Sequence, residues 1–403
     1  MVESSTPRSE EWAAAIRDAY VAFGVDPLDH PDTLGLSIGT RRMIEYWTPQ
    51  RRSEAAQDRL RDPKTQQFLP DPRADLSPPE SPPPQEPPHV AVREAADAFH
   101  ARITATGGFG MKDGEPDPAV AQQHLDELID IGRQVQAITT ELLPDKLPDR
   151  VGFTDESLEG ASDVARRIEK RHRDAQDLRL QVALDTLEKI TGRAEPMPGT
   201  IGQAQDRGTE LAEQDVNDPD APGKHLRALT DEEAQQIDEA VTRYPAAWRP
   251  ALEGIMSDTY LLSGTRAFFG KNAAPDGNHV LNMSSDLTQH GAPINTMVHE
   301  IGHSMEYQIP GLIAAEDAYW KKRVGPDRTL VANDGGHFPK TVAEPVKAGY
   351  SLKRYKGATG TAGIPLAEMF TTGAEDILGS GARRYTDPEF EAFIWGSLIT
   401  FRP

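Results

Sequence analysis

Residues 298–303 read Val-His-Glu-Ile-Gly-His. If this stretch is helical, His299 and His303 lie four apart and share one face, so both imidazoles can reach one cation. Glu300 follows the first histidine at an angle that lets its carboxylate hold a water without ligating the metal. Zinc in such a site lowers the pKa of a bound water to about 7. A carboxylate beside it can then act as general base and pass the proton to a leaving amine. The chemistry implied is metal-assisted hydrolysis. Zinc, one ion per chain, is the default for two histidines and a carboxylate, although other divalent ions accept that set.

A third protein ligand is needed. The chain has no cysteine, so it must come from His, Asp or Glu. A third histidine six residues past the second is excluded, because Glu306 and Ile309 stand where Gly and His would be required. A later glutamate is the alternative. Residues 365–378, Pro-Leu-Ala-Glu-Met-Phe-Thr-Thr-Gly-Ala-Glu-Asp-Ile-Leu, read as a helix with Glu368, Thr372 and Glu375 on one face. Glu368 is assigned as the ligand, with Glu375 as the reserve or as a partner orienting a ligating histidine. His337, in Asn-Asp-Gly-Gly-His, is a weaker contender.

The elements around these residues are short. Residues 260–269 read as a strand with a glycine irregularity and 279–283 as a second strand, expected to be the edge that pairs with extended substrate. The motif helix is expected over 294–308. Upstream, helices are expected over 90–104, 118–143, 154–190 and 231–244, the last with Thr230 as its N-cap. Residues 107–110 are a glycine-rich break, and 193–228 read as irregular. Helices are also expected over 10–23 and 33–47. Between Pro49 and Pro88 proline recurs 11 times, which excludes a helix or sheet interior and predicts an extended or disordered linker.

Charge divides the chain. Residues 241–403 carry 16 Lys+Arg and 17 Asp+Glu, so nearly all of the net −21 falls on the first 240 residues. Such an acid excess repels nucleic-acid backbones and anionic membranes. No leader-like apolar region opens the sequence and no run reaches the roughly 18 apolar residues of a membrane span, so a soluble cytoplasmic protein is expected, with virion association or export without a cleaved signal as alternatives. The organisation expected is α+β. It comprises a helical N-terminal segment (1–48), a proline-rich linker (49–89), an acidic helical region (90–239) available to a protein partner, and a C-terminal domain (240–403) with a small sheet and the motif helix.

His-Glu-x-x-His followed some 60 residues later by a glutamate resembles the Glu-liganded zincin metallopeptidases. More narrowly, residues 240–400 are similar to zincin-like domains of phage and prophage virion-morphogenesis (minor head) proteins. The similarity lies in Arg266-Ala267-Phe268-Phe269, Tyr350…Lys353-Arg354-Tyr355, Glu368 to Glu375, and the ending from Asp387 to Leu398. The resemblance implies a zincin-like fold, peptide or protein substrates, and a tyrosine hydroxyl, from Tyr350 or Tyr355, near the oxyanion of the reaction. Tyr355 is taken for that role. Two other readings stay open: a virion-assembly component with a slow or inactive zincin fold, and a secreted peptidase effector or toxin.

Overall fold

The computed structural model describes residues 87–144, 163–216, 227–264, 267–284, 293–333, 336–339, 349–359, 364–380 and 387–403. The helices expected over 10–23 and 33–47, and all but the end of the proline-rich linker, lie outside the described residues. What is described mixes helix with two small four-stranded sheets, and helix dominates.

Three long helices come first: α1 (Pro88–Ala105), α2 (Pro118–Leu142) and α3 (Asp163–Thr191). The glycine break between α1 and α2 holds a two-residue ribbon, β1 (Met111–Lys112) with β2 (Glu115–Pro116). Gly107, Gly108, Gly110 and Gly114 there take positive φ. His124 of α2 is wedged between the rings of Phe99 and Phe109 and accepts from the N–H of Gly110 at 3.1 Å.

Residues 198–216, expected to be irregular, form helix α4 (Pro198–Val216). Pro198 sits at its start, where a missing N–H costs nothing. Its inward face is small, with Ile201, Ala204 and Ala212 buried, and Gly208 lies against the carbonyl of Leu261, where a Cβ would come within 1.9 Å. After β3 (Arg227–Ala228), Thr230 caps α5 (Asp231–Val241) through a reciprocal pair with Glu233, as the sequence suggests. Helix α6 (Arg249–Ser257) leads into the first sheet.

That sheet has the order β3-β4-β6-β5, with β4 (Thr259–Gly264) parallel to β6 (His279–Ser284) and β5 (Phe268–Gly270) antiparallel to β6. The strand near 279–283 is therefore interior, flanked on both sides. The edge on that side is β5, because the chain doubles back through residues 271–278 and lays Phe268–Gly270 along the outside of β6.

Helix α7 (Pro293–Gln308) carries the motif and buries Met297, Val298, Ile301 and Met305 completely. Gly302 lets it approach its neighbours: a Cβ there would stand 3.1 Å from a methyl of Thr371 and 3.3 Å from the Tyr244 hydroxyl. Helix α8 (Leu312–Val324) follows. The second sheet, order β10-β9-β8-β7, is antiparallel throughout: β7 (Leu330–Asn333), β8 (Gly336–Pro339), β9 (Arg354–Thr359) and β10 (Pro365–Ala367). The helix expected over 365–378 starts only at α9 (Met369–Ala374) and continues as a π turn, Glu375–Ser380. Residues 365–367 pair with β9 instead, a non-local contact that a periodicity count cannot register.

The last helix, α10 (Pro388–Thr400), is buried from Ala392 to Thr400 and crosses α2 at backbone contact. Gly132 and Gly396 make this possible, since a Cβ on Gly132 would fall 1.7 Å from the Ala392 carbonyl oxygen. Tyr319 of α8 stacks on Phe393 at 4.4 Å, and Trp248 donates to the carbonyl of Phe401 at 2.7 Å. One apolar cluster runs from Val92 to Phe401. The change of composition at residue 240 is thus not a break in packing: Pro87–Leu142 belongs to the same compact unit as the chain beyond residue 240.

Candidate metal centre

Four elements build the site. Helix α7 supplies His299, Glu300, His303 and Glu306; the junction of β10 and α9 supplies Glu368; the π turn supplies Glu375; and β9 with the residue before it supplies Tyr355 and Lys353. His299 and His303 stand 5.0 Å apart between ring centroids and nearly perpendicular, at 85°. Their Nε2 atoms both face one oxygen of Glu368, Oε2, at 3.0 and 3.4 Å. One donor atom from each of the three residues lies within 4.8 Å of the other two, and all three residues are buried. Two imidazoles and a carboxylate converging on one point fit a divalent cation of the zinc type.

Glu375, expected as either a reserve ligand or a partner of a ligating histidine, lies beside His299. Its Oε2 lies 3.3 Å from Nδ1 of His299, an ion-pair distance that is not aligned as a hydrogen bond. It therefore stands on the far side of the imidazole from Glu368. On His303 the corresponding partner is Glu306, with Oε2 3.0 Å from Nδ1. Each histidine has a carboxylate behind it, which favours a proton on Nδ1 and leaves Nε2 free for a metal. Glu306 is a residue that sequence reasoning noted only for not being glycine. Its signal was its position three residues after His303 on the same helical face.

Electrostatics favour bound protons on these residues. Burial opposes charge on His299, yet Glu368 and Glu375 outweigh it and hold the ring at a pKa of about 9. Burial likewise opposes charge on His303, and Glu306 with Glu368 lifts it well above the usual range. Burial would raise Glu368, but the two histidines hold it well below the ordinary carboxylate range. Behind them Glu316, which accepts from the N–H of Phe370 at 2.9 Å, is pushed well up by burial and by the charge of Glu306.

Glu300 is placed apart from the ligand atoms. Its Oε2 accepts from the N–H of Phe269 at 2.9 Å, tying the candidate base to edge strand β5. Tyr355 donates its hydroxyl to Oε1 of Glu368, so it addresses the carboxylate. The side chain of Tyr350 is outside the described residues. His337 lies in β8, half-buried, and is not part of the His299–His303–Glu368 group. Among the described residues no helix is long and apolar enough to cross a membrane.

No protein-family model, curated protein or solved structure matches the chain. The functional reading therefore rests on the site itself.

Proposed function

We propose that the chain is a zinc-dependent metallopeptidase, with His299, His303 and Glu368 as metal ligands and Glu300 as general base. The observation that carries this reading is the convergence of two Nε2 atoms and one carboxylate oxygen from three buried side chains, with a second carboxylate, Glu300, outside that group. A bound divalent metal would supply Lewis-acid polarisation and acidify a water. Glu300 removes the proton from the attacking water and delivers it to the nitrogen of the breaking C–N bond, so the free amine leaves neutral. Glu306 and Glu375 hold the imidazoles in orientation. The N–H of Phe269 faces Glu300 and not β6, so an extended peptide can be aligned along β5 beside the base. In this reading helices α1–α4 are part of the catalytic body, and the resemblance to virion-morphogenesis proteins suggests a role in phage or prophage assembly.

A second reading is a structural assembly protein in which hydrolysis is slow. It is favoured by one feature: the Glu300–Phe269 hydrogen bond engages the base and the edge-strand donor together. Digestion of an unfolded protein substrate by zinc-loaded wild type and by Glu300→Gln separates the two. Both proteins should hold zinc, and only the wild type should cleave. Equal cleavage by both, or none by either, rejects the peptidase assignment.

A further inference from the structure

Glu368 has two oxygens, and the fold gives them different partners. Oε2 faces the two histidines. Oε1 meets Tyr355 of β9 and the residue just before that strand: Tyr355 donates its hydroxyl to it, and Nζ of Lys353 lies 3.6 Å from it. Lys353 stands just before β9 and Tyr355 is the second residue of that strand, and both reach the same carboxylate oxygen. Lys353 is only 3% exposed, a degree of burial that lysine accepts only with a partner. Its Nζ also stands 4.5 Å from the centre of the Tyr355 ring, in cation–π contact. The main chain joins the arrangement, because the N–H of Glu368 donates to the carbonyl of Lys353 at 3.1 Å.

From this division of partners we infer that Lys353 and Tyr355 are positioning residues that make Glu368 a one-oxygen ligand. The inference rests on the metal-centre reading above. A carboxylate with both oxygens free can chelate a cation and fill a coordination position that a catalytic site must keep open. Here Oε1 is committed to an ammonium and a phenol, and chelation would strip a buried lysine of its counter-charge. Only Oε2 is left for the metal. The same contacts fix the carboxylate plane, as neighbouring hydrogen-bond partners do for ligands generally.

Cobalt(II) is the probe, because its visible absorption reports coordination number. The full chain, Tyr355→Phe and Lys353→Met are each titrated with cobalt and their spectra recorded at saturation, alongside thermal melts. The wild type should take up one cobalt with the intense absorption of a low-coordinate site. Each variant should bind cobalt roughly 10- to 100-fold more weakly and, once saturated, show the weaker, shifted bands of a higher-coordinate ion. A role in folding alone would lower the melting temperature and leave the saturated spectrum unchanged. Tyr355→Phe removes a single oxygen, which keeps the test open if Lys353→Met does not fold. Wild-type spectra from the folded variants overturn this inference and leave the metal centre standing. Absence of cobalt uptake by the wild type overturns both.

Discussion

Metal binding at this site should tighten steeply with pH, because a cation must displace the protons that the two histidines hold. His299 has a pKa of about 9 in the folded chain, and His303 is raised as well. At pH 7 a single proton of pKa about 9 weakens apparent affinity by about 100-fold, and at pH 8 by about 10-fold. With both histidines protonated, the logarithm of the association constant should rise with a slope of about two per pH unit above neutrality, and the slope should fall by about one as pH passes about 9, where His299 gives up its proton. Glu368 is already ionised and releases nothing. Stability of the metal-free chain should move the other way. The folded pKa of His299 lies above its unfolded value of about 6.5, so its pairing stabilises fully below that pH and is lost as pH rises through about 9. Isothermal titration with zinc in buffers of differing ionisation enthalpy counts the protons. About two should appear per zinc at pH 7. No proton release, or an affinity independent of pH, would refute the reasoning.

Three further outcomes are expected. Gly132→Ala should lower stability by about 3 kcal/mol or more in urea unfolding, because its Cβ meets the Ala392 carbonyl at 1.7 Å and two buried helices must separate; a silent substitution would show that α2 and α10 do not cross at backbone contact. Arg243→Met should weaken zinc binding by roughly tenfold in a chelator competition, since the guanidinium donates to the carbonyls of Leu378 and Gly379 at 3.0 and 2.7 Å and so fixes the π turn that carries Glu375. Burial, assisted by Arg102, lowers the pKa of His124, so its contribution is complete above its unfolded pKa of about 6.5 and declines as pH falls below it. Chemical denaturation from pH 7.5 to 5 should show that decline in the wild type and a shallower one in His124→Gln.

The parts of the site that could be read in the sequence are those fixed by local spacing. His299, Glu300 and His303 needed only helical periodicity, and α7 spans 293–308 against an expected 294–308. Glu368 was found by excluding cysteine and a third histidine, yet its setting was misread. Leu366, Met369, Phe370 and Ile377 have helical spacing, while the pairing of β10 with β9 that holds Glu368 in place is non-local. Lys353 escaped notice because lysine ordinarily marks solvent, and only the fold shows that its charge is buried against a carboxylate. Helix α4 escaped because, apart from Ile201, its inward face is built from Ala204, Gly208 and Ala212, whose small side chains leave little hydropathy signal. The acid excess before residue 240 suggested a separate region. Among the described residues, acidic side chains such as Asp174 and Asp185 of α3 face outward, while the inward faces of α1–α4 share the core of the motif helix.

The central claim is a metal held by His299, His303 and Glu368, and anomalous diffraction at the zinc edge from crystals of the zinc-loaded protein tests it directly. One strong peak is expected between the three side chains, about 2.0–2.2 Å from both Nε2 atoms and from Oε2 of Glu368, with Glu300 and Glu375 outside the ligand set. A peak elsewhere, a peak ligated by Glu375 in place of Glu368, or no peak at that position would contradict it.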